Sequence, residues 1–404
     1  MRIIHAADLH IDSQLDGVSQ AISDQVDTDR IATATREAFA RLIAWTIETN
    51  PDALVLAGDI FDGHWRSAAT RRVFLDGLHQ LHDAGVPVVM ASGNHDAESV
   101  LARSMVLPKS AFQMPADAPA SYEVPGTNLV VHGQGYAQRD VTENLSQRYP
   151  SPVPGMVNVG VLHANVGSSA GHGNYAPCSE DDLLRLGYEY VALGHIHQRR
   201  EFARDRTFAA YPGNLQGRSV REVGPKGALL VSMEAAGEPT VEFKALDVLR
   251  WHHVPVDATQ VMSVDEMLDA IAETIRSSQP DAEGRTQIVR VEVSVPEAVR
   301  SQVRHTTELK EDIRDSLRGV IVEKVRVHGV ASPDAAIDPE LAAAIRRGAG
   351  DLDSGEVIQW LADLDGKARR QLKLEGVALD DAGQVEALME RAAEDLVARL
   401  GGRQ

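Results

Sequence analysis

Five short clusters of aspartate, asparagine and histidine stand out because each directly follows an apolar run. They are Asp8-Leu9-His10, Gly58-Asp59-Ile60-Phe61-Asp62, Gly93-Asn94-His95-Asp96, Leu162-His163-Ala164-Asn165 and Gly194-His195-Ile196-His197. Carboxylate and amide oxygens together with imidazole nitrogens suit manganese, iron or zinc better than calcium or magnesium. Such side chains are costly to bury unless they are paired or coordinated. The ordered set therefore predicts a site for divalent metal ions.

The spacing within the clusters indicates how the ligands are shared. Residues i and i+2 of a strand face the same way, so Asp8 projects with His10, and His195 projects with His197. Each such pair can hold one ion or divide between two. The carboxylate of Asp59 has two oxygens and can bridge two cations. Paired cations activate a water and clamp a phosphate, so the pattern favours hydrolysis of a phosphate ester.

The elements that must position these side chains alternate between strands and helices. Strands are predicted at 2–7, 53–57 and 86–90, and helices at 29–48 and 67–83. Further strands are predicted at 128–132, 157–163 and 189–193, a short helix at 180–186, and antiparallel strands over 199–247. In α/β sheets, ligands bind at the carboxyl ends of the strands, which is where the clusters lie. The sequence thus predicts an α/β sandwich of about 245 residues.

The pattern changes after Arg250. A helix at 264–277, a strand at 286–295, a helix at 297–317 and a strand at 320–327 predict a small α/β domain. A linker is expected at 332–339, followed by charged amphipathic helices. We therefore predict domains at 1–247 and 250–330 and a helical region at 335–404.

Composition limits the classes of protein that fit. No apolar run among the 404 residues approaches the length of a membrane span, and the single cysteine, Cys178, excludes an internal disulfide, so we expect a cytoplasmic protein. The net charge of −19 argues against a free-standing nucleic-acid binder. Bound metals can supply the positive charge locally, in which case DNA would bind weakly without a partner.

The motifs resemble those of the calcineurin-like binuclear metallophosphoesterases, and more narrowly the SbcD/YhaO-type DNA repair exonucleases. The segments that carry this resemblance are 6–10, 58–62, 175–178, 190–197 and 211–218, and it covers roughly residues 1–245. It implies a four-layer sandwich of two mixed β-sheets flanked by helices, followed by a small α/β cap domain and a helical tail. It also implies a metal-dependent nuclease, with manganese as the expected metal, that acts in DNA double-strand-break repair or end processing.

The resemblance assigns ligands to two metal ions, which are manganese by expectation with iron or zinc as alternatives. One set comprises Asp8, His10, Asp59 and His197, and the other comprises Asp59, Asn94, His163 and His195. DNA is the implied substrate, and a large coiled-coil, SMC-like ATPase is the implied partner. The tail at 335–404 would dock on that partner or pack on this chain. A homodimer stays open.

Two residues next to the ligands are candidates for catalysis. His95 directly follows a ligand and is expected to stabilise the transition state or protonate the leaving oxygen, with Asp96 orienting it. Arg218 is a weaker candidate for contact with a phosphate. Asp62 stands where eukaryotic and archaeal relatives carry a histidine, which leaves exonuclease and endonuclease action open. His64 either substitutes for that histidine or is an ordinary loop residue.

Two other functions remain as alternatives. The same scaffold can hydrolyse a small phosphodiester or a phosphoprotein, although the long extension after residue 250 argues against this. A non-catalytic scaffold for an ATPase would be expected to have lost ligands, and the seven predicted ligands are all present.

Overall fold

The architecture comes from a computed structural model of the chain. It describes residues 1–13, 15, 33–62, 68–98, 105–167, 175–204, 206–234, 238–278, 284–303, 306–317, 319–330, 339–362 and 382–401. His64 and the predicted linker lie outside these residues, apart from position 339. The chain divides into two compact units, which are 1–253 with 281–290 and 319–323, and 254–280 with 291–318 and 324–404.

The first unit contains two six-stranded mixed sheets. The first sheet has the order β12-β11-β1-β2-β3-β4, with β1 to β4 parallel to one another. Its strands are β1 (Arg2–Ala6), β2 (Ala53–Ala57), β3 (Val88–Ala91), β4 (Ala111–Gln113), β11 (Gly227–Ser232) and β12 (Thr240–Ala245). Helices α1 (Ala34–Thr49) and α2 (Ala68–Asp83) connect the first three strands. The predicted alternation of strands and helices is therefore confirmed.

The second sheet has the order β5-β6-β7-β8-β10-β9. Its strands are β5 (Ala120–Glu123), β6 (Leu129–Gly133), β7 (Val157–His163), β8 (Tyr190–Gly194), β9 (Arg200–Arg204) and β10 (Thr207–Tyr211). Strands β6, β7, β8 and β10 are parallel, and β5 and β9 run antiparallel at the edges. Two short helices, α3 (Asn94–Glu98) and α4 (Glu180–Leu184), and a 3₁₀ turn at Leu145–Arg148 lie in the connections.

Alternating side chains of the central strands explain the layered arrangement. Ile3 and Val55 belong to the apolar core that also contains Val159 and Tyr190 of the second sheet. The residues that alternate with them face the other way and pack with Phe39 and other side chains of α1 and α2. Because both faces of β2 are covered, the run Ala-Leu-Val-Leu-Ala is wholly buried. This is the predicted sandwich of two sheets flanked by helices.

One polar side chain lies within the core between the sheets. His5 of β1 is fully buried; its Nδ1 lies 2.8 Å from the Tyr190 hydroxyl and its Nε2 lies 3.1 Å from the Leu193 carbonyl oxygen. Both partners are on β8, so the imidazole links the two sheets. Burial lowers the pKa of His5 from 6.5 to about 3, although the Leu193 contact opposes this shift. His5 is therefore neutral in the folded protein at neutral pH.

We expect the free energy of unfolding of the metal-free protein to depend on this histidine. A depressed pKa stabilises the fold above the unfolded pKa of 6.5, and the stabilisation is lost as the pH falls toward 3. The change between pH 6.5 and pH 5 amounts to about 2 kcal/mol. Urea unfolding of the wild type and of His5→Gln, which keeps a donor and an acceptor without titrating, measures it. Parallel pH profiles of the two proteins would contradict this assignment.

A third sheet has the order β13-β14-β15. Its long strands, β13 (Leu249–Asp257), β14 (Thr286–Pro296) and β15 (Val320–Val330), each contribute residues to both units. In the second unit, helix α5 (Val264–Ser278) packs with α7 (Thr306–Ser316), and a one-turn helix α6 (Glu297–Arg300) precedes α7. The single helix predicted over 297–317 is wrong, because the chain leaves helical geometry in a turn at 301–303.

In the carboxyl-terminal part of the second unit, the described residues are largely helical, as predicted. Helices α8 (Pro339–Gly350) and α9 (Ser354–Ala362) both contact α10 (Ala382–Gly401). Arg346 and Glu394 form an ion pair between α8 and α10, with Nε and Oε1 2.8 Å apart. Trp360 of α9 is 58% exposed and Leu341 of α8 is 48% exposed. Among the described helices, none combines the length and apolar character that a membrane crossing requires.

Candidate metal centre

The predicted ligands converge at one edge of the two sheets. Asp8, Asp59 and Asn94 follow β1, β2 and β3 of the first sheet, while His163 ends β7 and His195 follows β8 of the second. Because parallel strands present their carboxyl ends at the same edge, side chains far apart in sequence meet there. The structure brings all seven predicted ligands together.

The backbone at these positions is unusual. Asp8, His10, Asp59 and His195 have φ angles of 51°, 40°, 51° and 104°, in the left-handed region that residues other than glycine rarely adopt. Such conformations cost about 1–3 kcal/mol each and persist where the surroundings enforce them, which is common at functional sites. The fold therefore holds these side chains in their observed directions at a cost in backbone conformational energy.

The first cluster comprises Asp8, His10 and His197, whose ligand atoms all lie within 4.8 Å of one another. The Nε2 atoms of His10 and His197 are 3.3 Å apart, and His197 Nε2 is 3.8 Å from Asp8 Oδ1. Both oxygens of Asp8 also accept the backbone N–H of His195, at 3.0 and 3.1 Å. Asp59 Oδ2 lies 3.8 Å from His10 Nε2, so this carboxylate reaches the first cluster.

Asp59 belongs equally to the second cluster. Its Oδ2 lies 3.4 Å from His163 Nε2, which in turn lies 3.1 Å from Asn94 Oδ1. The Nδ1 of His163 is 2.9 Å from the Ala57 carbonyl oxygen, which holds the proton on Nδ1 and turns the Nε2 lone pair toward Asp59. The His195 ring is edge-on to His163 with centroids 5.2 Å apart. One carboxylate thus joins two half-sites.

Bound cations would stabilise the buried carboxylates and imidazoles of this pocket. Burial raises the pKa of Asp8 and lowers that of His10 well below its usual value. Burial also opposes protonation of His163, but Asp59 outweighs this effect and raises the His163 pKa to about 9. The proton on His163 offsets the negative charge of Asp59, as a bound cation would.

The nitrogen atoms of His10 give an independent test of whether metals fit. Its Nδ1 is buried and has no hydrogen-bond partner within the described part of the chain, and its Nε2 faces another imidazole nitrogen. Facing lone pairs of this kind repel each other unless a proton or a metal ion lies between them. With two oxygen-bearing half-sites sharing Asp59, the residues present fit two divalent ions.

His95 lies beside the first cluster and has a different partner from the one predicted. Its Nδ1 is 3.0 Å from Asp62 Oδ1, and the two side chains group with His10 within 4.8 Å. Asp96 instead accepts the backbone N–H groups of Phe61 and Gly93, each at 3.0 Å. The structure thus corrects the predicted pairing: Asp62 orients His95, while Asp96 braces the two loops that carry the ligands.

One feature of the sequence indicates that Asp62 could pair with His95. Asp62 stands three residues after the bridging Asp59, in a segment that directly follows a buried strand and so lies near the site. Burial lowers the pKa of His95, but the hydrogen bond that His95 donates to Asp62 and the charges of Asp59 and Asp62 outweigh it, so the pKa is raised overall. His95 therefore carries a proton more readily than a free histidine.

Arg218 lies on the other side of the first cluster. Its Nη1 donates to Ser13 Oγ at 3.2 Å, and Ser13 Oγ donates to Asp62 Oδ2 at 3.0 Å. The Nε of Arg218 is buried and lacks a hydrogen-bond partner among the described residues. The Arg218 side chain is 21% exposed, so its guanidinium can donate to an anionic group of a ligand.

Gly194 shows how closely the two sheets approach beside the predicted ligands. A Cβ atom there would overlap the Ala57 carbonyl oxygen and come within 2.8 Å of His163 Nδ1. We expect Gly194→Ala to destabilise the fold by about 1–3 kcal/mol and to weaken metal binding, because the sheets must separate. Urea unfolding and metal titration measure both effects. Gly348→Ala, in open space on α8, serves as the control and should not destabilise.

Two parts of the chain match known protein families. Residues 1–199 match the calcineurin-like phosphoesterase family, and residues 251–329 match the middle domain of the metallophosphoesterase YhaO. The chain is 30% identical to the Bacillus subtilis metallophosphoesterase YhaO over 277 residues, which cover 68% of this chain and 67% of that protein.

Two relatives named as nucleases or repair proteins are more distant. A subunit of the Bacillus subtilis nuclease SbcCD is 26% identical, with 62% of this chain and 73% of the relative covered. The DNA double-strand break repair protein Mre11 of Aeropyrum pernix is 24% identical, with 69% and 70% covered. The chain belongs to the calcineurin-like metallophosphoesterases of the SbcD/YhaO type. It is accordingly a metal-dependent hydrolase of phosphate esters, and its family implies two divalent ions.

Proposed function

We propose that the protein is a manganese-dependent DNA nuclease that hydrolyses phosphodiester bonds in double-strand-break repair or DNA end processing. The observation that carries the proposal is the carboxylate of Asp59, placed between two clusters of buried nitrogen and oxygen ligands. Similarity to the SbcCD nuclease subunit and to Mre11 supports DNA as the substrate. The mixed nitrogen and oxygen donors favour manganese, with iron or zinc as alternatives.

The seven ligands divide between two ions in this proposal. Asp8, His10 and His197 would hold the first, Asn94, His163 and His195 would hold the second, and Asp59 would contribute to both. When bound, the metals supply an activated water and neutralise charge on the phosphate. Four of the seven side chains sit on strained backbone, and this pre-sets their directions before any ion binds.

The chain's own residues supply the remaining steps. His95, held through Nδ1 by Asp62, directs its other ring nitrogen toward the reacting phosphate. There it stabilises the charge that develops on the phosphate and gives a proton to the leaving sugar oxygen. Arg218 binds a non-bridging phosphate oxygen through its partly exposed guanidinium, so the substrate is held between Arg218 and His95.

We also propose a domain division and a mode of partnership. Residues 1–247 form the catalytic domain, 250–330 a cap over DNA access, and 335–404 a segment that docks on a coiled-coil, SMC-like ATPase in the cytoplasm. The exposure of Trp360 and Leu341 on the described helices supports docking, since large exposed apolar side chains mark interaction surfaces. A partner would also compensate for the net charge of −19, which disfavours unaided DNA binding.

A substrate panel tests the proposal. The purified protein with Mn²⁺ should cleave linear DNA and leave a phosphopeptide and a cyclic nucleotide nearly untouched. Ends labelled at the 5′ or 3′ position, compared with closed circular DNA, separate exonuclease from endonuclease action. Hydrolysis of the small substrates alone would identify a phosphatase or small-molecule phosphodiesterase, and absence of any hydrolysis despite two bound metals would point to a scaffold.

Replacing Arg218 with alanine should raise KM for DNA while both metals stay bound. A charge-assisted hydrogen bond to a phosphate contributes about 1.5–3 kcal/mol, so kcat/KM should fall about 10- to 100-fold. Steady-state kinetics with Mn²⁺ held saturating measure the change. Arg221→Ala removes a neighbouring exposed arginine and should have little effect. Equal losses in the two variants would indicate a general charge effect.

A further inference from the structure

Glu222 contacts the first ligand cluster through His197 and is not among the predicted ligands. It precedes β11 in the connection from β10, and its side chain is 15% exposed. Its Oε1 lies 2.7 Å from Nδ1 of His197. Because Nδ1 donates this hydrogen bond, the proton of the imidazole is held on Nδ1 and the lone pair on Nε2 faces Asp8 and His10.

The second oxygen of Glu222 is equally engaged. Oε2 accepts the backbone N–H of Arg218 at 2.7 Å and the side-chain amide of Asn214 at 2.9 Å. The carboxylate thus fixes the polypeptide on which Arg218 is carried. The His197 backbone is held as well, because Lys226 Nζ donates to its carbonyl oxygen at 2.7 Å.

These contacts join two parts of the site that have different tasks. From Arg218 a hydrogen-bonded chain runs through Ser13 Oγ to Asp62, and Asp62 pairs with His95. Glu222 touches both a ligand of the first metal and the segment that carries Arg218. A single carboxylate therefore connects metal binding to the substrate-binding side of the pocket.

We infer that Glu222 is a positioning residue, which sets the tautomer of His197 for the first metal and fixes Arg218 for the substrate phosphate. The inference rests on the proposed two-metal function. Loss of Glu222 should affect the two half-sites differently. The contacts of Glu222 described above involve His197, Asn214 and Arg218, and none of these belongs to the second half-site. The first metal should depend on Glu222 and the second should not.

Glu222→Gln tests the inference with little change of shape. An amide keeps only one acceptor oxygen. If that oxygen faces Arg218 and Asn214, the amide NH₂ faces His197 Nδ1 and favours the tautomer that cannot bind metal through Nε2. If it faces His197, the N–H groups of Arg218 and Asn214 meet a donor. Neither orientation preserves all contacts.

Metal titration with Mn²⁺ provides the readout that does not depend on activity. The wild type should bind two ions, and Glu222→Gln should bind one normally and the other about 10- to 100-fold more weakly. The electron paramagnetic resonance signal of a coupled manganese pair should give way to that of a single ion at limiting Mn²⁺. Excess Mn²⁺ should restore kcat, whereas KM for DNA should stay raised because Arg218 is no longer held.

Controls distinguish the possible failures. Glu242→Gln, an exposed position on β12, should match the wild type. Two sites of wild-type affinity in Glu222→Gln, or equal weakening of both sites, would overturn the inference and leave the proposed function standing. A wild type that binds fewer than two ions would overturn both. If Glu222→Gln does not fold, Glu222→Asp, which keeps the charge but is too short to reach His197 and Arg218 together, carries the same test.

Discussion

Replacing Asp59 with asparagine is expected to remove both metal ions and to reduce phosphodiester hydrolysis by about 10³-fold or more. Asp59 Oδ2 lies within 3.8 Å of His10 Nε2 and 3.4 Å of His163 Nε2, so one carboxylate serves both half-sites. Loss of the metals forfeits several kcal/mol of transition-state stabilisation, and each increment of about 1.36 kcal/mol is tenfold in rate.

The substitution is suited to the purpose because it spares the fold. Asp59 Oδ1 accepts the backbone N–H of His95 at 3.0 Å, and the amide oxygen of asparagine can accept the same hydrogen bond. Elemental analysis gives the metal content and a linear DNA substrate gives the rate. Added Mn²⁺ should raise the Tm of the wild type and leave that of Asp59→Asn unchanged, since only a bound ligand stabilises the folded state.

Asp83→Asn, at the exposed end of α2, is the matched control and should keep both metals. Retention of two tightly bound ions by Asp59→Asn would show that the half-sites are independent, and would remove the bridging role.

Replacing His95 with alanine is expected to lower kcat by about 10²- to 10⁴-fold while both metals stay bound. His95 is 32% exposed and faces the pocket beside the first cluster, whereas its Nδ1 is held by Asp62. Loss of the imidazole removes the proton donor without removing a ligand. Wild-type metal content with a low single-turnover rate is the combination that assigns chemistry to His95.

Asp62→Asn should lower kcat by a smaller factor, because it leaves the imidazole in place but no longer favours its protonated form. The double variant should be little worse than His95→Ala alone, since residues that act as a unit are not additive. His79→Gln, on an exposed turn of α2, should behave as the wild type. A wild-type rate in His95→Ala with two bound metals would exclude this role.

The correction at Asp62 shows where sequence reasoning stops. Asp96 is next to His95 in sequence, yet it points into the protein and accepts N–H groups of Phe61 and Gly93. Asp62 is more than thirty positions away and reaches His95 because β2 and β3 are adjacent parallel strands whose loops meet. Neighbours along the chain need not share a direction, and the direction is set by backbone angles that residue types only bias.

Glu222 is a second residue whose role cannot be predicted from the sequence. Nothing in the residues around it distinguishes this glutamate from the many acidic residues that give the chain its charge of −19. Its role follows from the approach of the segment after β10 to His197, which the sheet order β8-β10-β9 determines.

The sandwich of sheets and helices and the chemistry of the pocket can both be read from the order of the residues. Continuous apolar runs such as Ala53–Ala57 predict buried strands. The polar clusters that follow these runs predict a ligand or a partner, because burying polar side chains is costly unless they are paired or coordinated. Which side chains meet is settled by folding. His163 and His197, at the ends of second-sheet strands or in the loops after them, meet Asp59 and His10, in the loops after first-sheet strands, only when the two sheets pack. Contacts between residues more than a hundred positions apart are set by that packing, and no local pattern encodes them.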